Sequence, residues 1–323
     1  MAKKQSRAER DEMLADIAEM YYEKEMTQAE ISKEIGITRS AISRLLTEAR
    51  KKGIVEIHIR RPIWFDSDLA EDLKSRFSLK NVQVLTWDDS DRYEILRQRL
   101  GKAGAKVFTD LVDRGQVIGV AWGYTVSAVI DEMPEKHLTG VKVAQLVGVL
   151  GSSVHKYSGQ TLVEKLAGKL DGEGVYLYTP FIVEKPQTAK VLRNDQSVRD
   201  TMLVGQKCDL AILGIGSTIP EYCSLFQGSH IQLADLEELQ RAGAVGDVCG
   251  HYFTADGSIA QVAFHQRLIG ISLEDLRSIP VRLAVAGGVN KAEAILGAVR
   301  GGLVNGLIID SLTAARILEL DGS

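Results

Sequence analysis

Small hydroxyl and basic side chains cluster between residues 38 and 61, and together they have the chemistry to bind a polyanion. Seven Lys or Arg stand against two Glu in this stretch, a local charge of +5 in a chain whose formal net charge is -4. Positive charge this concentrated is typical of contact with nucleic-acid phosphates. The residues predicted to bind DNA are Thr38, Arg39, Ser40, Ser43, Arg44, Thr47, Lys51, Arg60 and Arg61.

A helix-turn-helix is the element that would present these side chains. Thr27 followed by Glu30 forms a capping box, so a first helix begins there, and Gly36 is where that helix ends. Thr38 then caps a second helix. The apolar residues of the second helix recur at helical spacing and form one buried stripe: Ile42, Leu45, Leu46 and Ala49. The opposite face is polar and basic, which suits a DNA major groove.

The flanking segments predict a small winged domain around this motif. Residues 8–24 carry apolar side chains at helical spacing, which indicates a helix that packs across the pair. Residues 54–59 alternate apolar and polar side chains, as the strand of a wing does, and lead into Arg60 and Arg61. The alternative is a helix pair inside an ordinary domain, but such a pair would be apolar on both faces.

Within the DNA-binding set we expect two kinds of contact. Ser40, Ser43, Arg44 and Thr47 are placed to contact base edges or adjacent phosphates. A second group is expected mainly to contact phosphate and so to position the protein without reading sequence: Thr38, Arg50, Lys51, Lys52, Arg60 and Arg61.

Four glycine-rich loops later in the chain each follow a predicted strand. They span residues 119–125, 148–153, 214–218 and 287–291. Ligands of an open parallel sheet bind outside the carboxyl ends of the strands, where such loops lie. Glycine allows the backbone to approach a ligand closely, and N–H groups at a helix start suit an anion. The recurrence predicts a small phosphorylated or polyhydroxylated ligand, with plain tight turns as the alternative.

The predicted effector-binding residues are Trp122, Gly123, Tyr124, Thr125, Gly216, Ser217, Asp247 and Lys291. Asp247 is the carboxylate expected to accept from sugar hydroxyls, although Asp after Gly is also a common turn residue. Lys291 stands at a helix N-terminus, where the helix dipole disfavours a cation and an anionic partner is expected. His251, Tyr252 and Phe253 could line the same pocket, although a structural role is favoured for His251.

The periodicity from Asn81 onward predicts the architecture. Strands and helices alternate, as in an α/β fold with a mainly parallel sheet covered on both faces. The fourth of the predicted strands covers residues 175–178, and residues 244–259 predict an irregular or antiparallel excursion above the sheet. The predicted domains are a helix-turn-helix DNA-binding domain over residues 1–61 and an effector-binding and oligomerisation domain over residues 62–323.

The composition excludes several classes of protein. With 323 residues, 45% of them hydrophobic and 25% charged, the chain is ordinary for a globular protein of two domains. Three cysteines without metal-ligand spacing argue against a disulfide framework or a zinc site, so we expect no metal and no cofactor. The N-terminus has no apolar signal segment and no apolar run approaches a membrane span, so we expect a cytoplasmic protein that does not enter a membrane.

The chain resembles the SorC family of bacterial sugar-responsive transcription regulators, nearly from end to end. The matching segments are MTQAEISKEIGITRSAISRLL at 26–46, VAWGYT at 120–125, LGIGS at 213–217, AGAVGDVCGHYF at 242–253, IPVRLAVAGGVNKAEAI at 279–295 and RGGLVNGLIIDSLTAA at 300–315. The last three are long and in the family's order, which makes them specific.

The resemblance implies an N-terminal DNA-binding domain and a C-terminal effector domain with the Rossmann-like fold of sugar isomerases and deaminases, usually assembled as a tetramer. It also implies that residues 122–125, Asp247 and Lys291 help to form the effector pocket. We therefore expect a homotetramer or homodimer that binds operator DNA and regulates a carbohydrate-related operon. A sugar or sugar phosphate would control its DNA binding.

An enzyme is the alternative, because sugar-phosphate isomerases and deaminases share this type of sheet. Such an enzyme needs a general acid or base beside the bound sugar, and Asp247 could serve. It also needs a second titrating group within reach. The sequence shows no clustered pair of carboxylates near these loops, so we expect no catalytic residues.

Overall fold

The computed structural model describes residues 7–56, 62–88, 92–151 and 157–322. The chain separates into two compact units, Met1–Pro62 and Ile63–Ser323. In their described residues, the first unit is helical and the second is an α/β fold.

The helices of the first unit are α1 (Arg7–Tyr22), α2 (Gln28–Ile35) and α3 (Arg39–Lys51). The capping box is formed at the start of α2: the Thr27 N–H donates to Glu30 Oε2 over 2.8 Å, and Thr27 Oγ1 accepts from the Glu30 N–H over 3.3 Å. Gly36 ends α2 with φ 78°, in the left-handed region that favours glycine. Thr38 Oγ1 accepts from the Ala41 N–H over 3.3 Å and caps α3. The predicted helix boundaries are therefore confirmed.

The predicted stripe of α3 is buried in a small core shared by the three helices. The core residues are Leu14, Ile17, Ala18, Ile31, Ile42, Leu45, Leu46 and Ala49. Burying a large aliphatic side chain contributes about 1.5–3 kcal/mol, so this core fixes the angle at which α3 leaves the turn.

The predicted wing is not seen in the described residues. Residues 54–56 are not in a strand, and residues 57–61, which include Arg60 and Arg61, lie outside the described residues. Ile54 and Val55 instead pack against the three-helix core as partly buried side chains. The wing and its two arginines stay a prediction.

The strands of the second unit are β1 (Asn81–Leu85), β2 (Val117–Val120), β3 (Lys142–Gln145), β4 (Glu173–Val175), β5 (Leu210–Leu213), β6 (Ala244–Val248), β7 (His251–Thr254), β8 (Val281–Val285) and β9 (Gly306–Asp310). Seven of them form one sheet in the order β1-β9-β8-β5-β2-β3-β4, and every pair is parallel. The remaining two, β6 and β7, form an antiparallel hairpin, which agrees with the predicted excursion over residues 244–259.

The helices of this unit are α4 (Ser67–Phe77), α5 (Tyr93–Leu111), α6 (Tyr124–Glu132), α7 (Gly159–Leu170), α8 (Pro186–Asn194), α9 (Gln196–Gly205), α10 (Ser224–Gln227), α11 (Leu233–Arg241), α12 (Leu273–Ser278), α13 (Ala292–Arg300) and α14 (Ser311–Gly322). They cover both faces of the sheet. On β5, Leu210 and Ile212 enter the core under α5, α6 and α7, whereas Ala211 and Leu213 enter the core under α11, α13 and α14. This alternation confirms the predicted α/β fold.

The fourth strand differs from its prediction. It covers Glu173–Val175 rather than residues 175–178. Leu177 leaves the strand direction because its side chain packs into a separate small cluster with Ala189 of α8, Val198 of α9 and Ile269. Tertiary packing thus ends the strand before its apolar run ends.

The cysteines are core thiols, as predicted. Cys208, Cys223 and Cys249 are all free and buried. Burial raises the pKa of Cys208 to about 12 and that of Cys223 to about 11, so both stay protonated and unreactive near neutral pH. None of the helices in the described residues combines the length and apolar character that crossing a membrane requires.

Candidate functional site

The outward face of α3 carries the side chains predicted to bind DNA. Those in the described residues are all exposed: Thr38, Arg39, Ser40, Ser43, Arg44, Thr47 and Lys51. The cationic groups of Arg39, Arg44 and Lys51 have no ion-pair partner among the described residues. Because α3 is held rigidly by its core, these cations can meet phosphates or base edges without first breaking a protein contact.

Two ion pairs tie α1 to the C-terminal part of α3. Arg10 Nη2 lies 2.7 Å from Glu48 Oε2, and Lys52 Nζ lies 2.7 Å from Asp11 Oδ1. The hydrogen bond from Arg10 and the neighbouring Lys52 lower the pKa of Glu48 to about 2. Lys52 therefore braces the helices, in contrast to Lys51 next to it, which is unpaired in the described residues. Sequence reasoning missed this difference because it depends on contacts more than forty residues apart along the chain.

A cavity of about 330 Å³ opens at the carboxyl ends of β2 and β5; we call it the central cavity. These two neighbouring strands are the point where the chain changes direction across the sheet: β2 leads on to β3 and β4 on one side, whereas β5 leads to β8 and β9 on the other. Ligand sites of open α/β sheets lie at such points. The predicted effector-binding residues that line the central cavity are Trp122, Gly123, Tyr124, Thr125, Gly216, Asp247 and Lys291.

The start of α6 gives the central cavity a set of backbone donors. Gly123 takes φ 144° at the N-cap of this helix and supplies no side-chain cap. The first N–H groups of the helix therefore lack an intrahelical partner and, with the helix dipole, favour an anion. Thr125 adds a hydroxyl that lines the same cavity.

Asp247 lines the central cavity from the end of β6, next to the turn of the β6–β7 hairpin. The two turn residues, Cys249 and Gly250, have φ 53° and 82°, the left-handed pair expected of a tight hairpin turn. Asp247 Oδ2 accepts from the Gly250 N–H over 3.0 Å. Burial raises the pKa of Asp247 to about 6, opposed by that hydrogen bond and by the charge of Lys291.

Gly216 is required by the position of this carboxylate. A Cβ atom at Gly216 would lie 1.9 Å from Asp247 Oδ1, and the Gly216 N–H donates to the Asp247 backbone carbonyl over 2.9 Å. The glycine therefore brings the loop after β5 against the hairpin turn.

Lys291 lies at the N-cap of α13 and reaches back to the loop after β5. Its Nζ donates to the Ile215 carbonyl over 3.0 Å. Lys291, the cation expected to need an anionic partner, is thus held near Asp247. Its charge partly offsets the rise in the Asp247 pKa that burial causes. A ligand carrying both hydroxyl and phosphate groups would find an acceptor and a cation side by side.

Several residues that line the central cavity were not predicted. Tyr93 and Arg97 come from α5, and Glu221, Tyr222 and Gln227 come from the segment after β5. The Arg97 guanidinium carbon lies 5.4 Å from the centroid of the Tyr124 ring, a cation–π contact. The sequence carried no signal for these residues, because they do not directly follow strands.

Glu221 is a second carboxylate in the wall of the central cavity that the sequence did not indicate. Both carboxylates line the central cavity, as does Lys291. A segment that leaves the sheet after β5 and returns over the cavity brings Glu221 there, although it is 26 residues away from Asp247 in the sequence.

Other predicted residues lie elsewhere. Ser217 does not line the central cavity; it is buried, and its Oγ accepts from the Ile219 N–H over 3.1 Å. His251 Nε2 lies 2.9 Å from the Ile271 carbonyl oxygen, which agrees with its structural role, whereas Tyr252 and Phe253 are fully buried core residues.

The described residues of the loop predicted over residues 148–153 do not line the central cavity. Val149, Leu150 and Gly151 line a different groove, and Ser152 and Ser153 lie outside the described residues. The reason is the strand order, which puts β3 beyond β2.

Two protein-family models match the chain. Residues 61–319 match the family described as "Putative sugar-binding domain". Residues 14–52 match "Sigma-70, region 4". The first match covers the α/β unit with the central cavity, and the second covers the three-helix unit.

Two curated relatives span nearly the whole chain. The deoxyribonucleoside regulator of Bacillus subtilis is 30% identical over 312 residues, which cover 96% of this chain and 98% of the relative. The transcriptional regulator LsrR of Escherichia coli is 32% identical over 312 residues, which cover 96% and 95% respectively.

Solved structures show the same fold. The full-length sorbitol operon regulator SorC from Klebsiella pneumoniae is 27% identical and superimposes with a TM-score of 0.70, covering 95% of this chain and 99% of that one. A transcriptional regulator from Streptococcus pneumoniae is 29% identical, with a TM-score of 0.74 over 80% of this chain and 98% of its own. The chain therefore belongs to the SorC family of sugar-binding transcriptional regulators.

Proposed function

We propose that α3 binds operator DNA of a carbohydrate-related operon in the cytoplasm, and that a sugar or sugar phosphate in the central cavity changes the DNA affinity. The observation that best supports this proposal is the set of side chains that line the central cavity. Lys291, Arg97 and the start of α6 suit a phosphate, whereas Asp247 suits sugar hydroxyls.

On this proposal residues 1–61 form the DNA-binding domain and residues 62–323 the effector domain. Arg44, Ser40, Ser43 and Thr47 contact base edges or adjacent phosphates, and Thr38, Arg50, Lys51, Arg60 and Arg61 mainly contact phosphate. The effector domain has a formal charge of -6, so its surface is repelled by DNA and leaves the contact to the first unit.

The binding species is proposed to be a homodimer or homotetramer assembled through residues 62–323. A single helix-turn-helix contacts few bases, and two-fold pairing doubles the site that is read. Sizing the full chain by light scattering at micromolar concentration tests this. A monomer that still binds its operator specifically would contradict it.

The effector is tested by a ligand screen. The names of the relatives suggest deoxyribose and sorbitol as probes, each free and phosphorylated, in thermal-shift measurements on the full chain. Operator DNA is first obtained by selection from random-sequence DNA and followed by fluorescence anisotropy. A ligand that stabilises the protein and also shifts its operator affinity supports the proposal; equal affinity for operator and random DNA would refute it.

Glu221 gives the enzyme alternative one specific observation in its favour, since it is a second carboxylate that lines the same cavity as Asp247. The same ligand screen decides between a regulator and an enzyme. An effector should be recovered unchanged after long incubation with the protein. Steady consumption of a ligand that Asp247→Asn abolishes, with DNA binding retained, would establish catalysis.

A further inference from the structure

The polar face of α3 carries three hydroxyl side chains at helical spacing, Ser40, Ser43 and Thr47, and their hydrogen bonds differ. All three are exposed, and with Arg44 they lie opposite the buried stripe of the helix. A serine or threonine hydroxyl has one hydrogen to donate. What each side chain can offer to DNA therefore depends on whether that hydrogen is already used inside the protein.

The hydroxyl hydrogen of Thr47 is used within the helix. Thr47 Oγ1 donates to the Ser43 carbonyl over 2.9 Å, a bond to the residue four positions earlier that threonine can form in helices. A phosphate oxygen, the N7 atom of a purine and the O4 atom of thymine are all acceptors. Thr47 can donate to none of them without breaking its helical bond, so its exposed side chain offers DNA chiefly a methyl group.

The two serines on the same face are placed differently. Ser40 Oγ lies 3.1 Å from Thr38 Oγ1, so this hydroxyl belongs to the cap of α3. Ser43 Oγ has no hydrogen-bond partner among the described residues and is free to donate or accept. Ser43 and Arg44 thus supply the polar groups at the middle of this face, and Thr47 supplies its apolar contact.

Thymine presents a methyl group in the major groove. A threonine methyl can pack on the C5-methyl of thymine, which removes both groups from water. Arg44 and Thr47 are three residues apart, about 4.5 Å along the helix axis. Stacked base pairs are about 3.4 Å apart, so in a helix that lies along the groove the two side chains reach base pairs one or two steps apart.

We propose that Thr47 reads a thymine of the operator through its methyl group, one or two base pairs from the base that Arg44 contacts. The inference rests on the proposed function, since it needs α3 to lie in the major groove of operator DNA. Thr47 then contacts a base and not a phosphate, and it discriminates against bases that lack a C5-methyl.

The test replaces the thymines of the operator by 2′-deoxyuridine, one at a time, and uses the full chain with an operator selected from random-sequence DNA. Deoxyuridine keeps the hydrogen-bonding edge of thymine and lacks only the C5-methyl. At one position in each half-site the wild type should lose about fourfold in affinity, the loss expected when one methyl group is no longer buried. Fluorescence anisotropy gives the ratio of the two dissociation constants.

Two conservative variants show which part of Thr47 makes the contact. Thr47→Ser keeps the hydroxyl and loses the methyl, so its dissociation constant should be the same for thymine and deoxyuridine at that position. Thr47→Val keeps a methyl and loses the hydroxyl, so the fourfold loss should remain. Ser43→Ala, on the same face, is the matched control and should also keep that loss. Each result is a ratio within one protein, so a variant that binds more weakly overall still gives an answer.

Three results would each overturn the inference: no thymine of the operator responds to deoxyuridine in the wild type, Thr47→Ser keeps the fourfold loss, or Thr47→Val abolishes it. Equal weakening of operator and random DNA by both Thr47 variants would assign Thr47 to a phosphate and would also overturn it. A wild type that does not prefer its operator to random DNA refutes the proposed function itself. One that prefers its operator but ignores deoxyuridine refutes this inference alone.

Discussion

Asp247 is a carboxylate kept buried at the wall of an open cavity. Burial raises its pKa to about 6, so near pH 7 it is still largely ionised, and in the described residues its side chain accepts one hydrogen bond from the protein. A sugar hydroxyl can donate to an ionised carboxylate that still has acceptor positions available. Keeping this charged carboxylate buried reduces the stability of the fold. The sequence indicated Asp247 only as an Asp after Gly; its burial and its neighbours could not be inferred from spacing.

Replacing Asp247 with Asn should stabilise the protein in a pH-dependent way. With a raised pKa, the folded state binds more protons than the unfolded state between about pH 4 and 6, so wild-type stability falls as the pH rises through that range. Asn cannot ionise and can still accept from Gly250. The gain in free energy of unfolding should therefore be near zero at pH 4 and on the order of 1–3 kcal/mol at pH 8.

Urea unfolding of wild type and variant across this pH range measures the difference. Asp110→Asn, at an exposed position on α5, is the matched control. A difference that stays constant with pH would contradict the burial of an ionisable Asp247.

Gly216→Ala tests the close approach that positions the same carboxylate. The new methyl group would overlap Asp247 Oδ1, so the variant should lose roughly 1–3 kcal/mol of stability and bind effector less tightly. Gly168→Ala in α7 is the control, since nothing lies within 4 Å of its Cβ position, and it should gain about 0.5–1 kcal/mol from helix propensity. Equal behaviour of the two variants would show that the Gly216 contact does not matter.

At the scale of elements, the sequence predicted α3 well because its signals are local. The cap at Thr38 and the spacing of the apolar residues both act within a few residues. The helix α5 was not singled out, although it supplies Tyr93 and Arg97 to the central cavity. Its glycines disfavour a helix in isolation, yet Gly101 and Gly104 are needed there, since a Cβ atom at either would lie 2.7 Å from α6. Close helix packing outweighs propensity in this case.

Two variants of α3 should distinguish base-specific contacts from phosphate contacts. Arg44→Ala should lose about 1–3 kcal/mol of operator binding and relax specificity if Arg44 contacts a guanine, whereas Lys51→Ala should weaken all DNA sequences alike and flatten the salt dependence. Anisotropy titrations of operator and random DNA at several salt concentrations measure both effects.

Lys52→Ala is the matched control for Lys51→Ala, because it removes the same charge one residue away. Lys52 is paired with Asp11, so its loss should loosen the contact between α1 and α3 more than it weakens DNA binding. If Lys52→Ala and Lys51→Ala reduce DNA affinity and the salt dependence equally, the distinction drawn from the ion pair is wrong.

At the scale of the molecule, the meeting of separate loops in the central cavity follows from strand order. The sequence located the loops after β2, β5 and β8, but it could not reveal that these three strands are adjacent while β3 lies beyond β2. Strand order depends on pairing between distant segments, so spacing along the chain could not show that the described residues of the loop after β3 line a different groove. The place of Glu221 in the wall of the central cavity has the same long-range origin.

The most direct test of the account is a comparison of three proteins in one titration: wild type, Lys291→Ala and Arg44→Ala, each with operator DNA and the effector found by the ligand screen. The effector should change wild-type DNA affinity by a coupling of about 1–3 kcal/mol, roughly 5- to 150-fold. Lys291→Ala should bind operator normally and ignore the effector, and Arg44→Ala should bind effector normally and lose the operator. If Lys291→Ala responds to the effector as the wild type does, the central cavity is not the site that controls DNA binding.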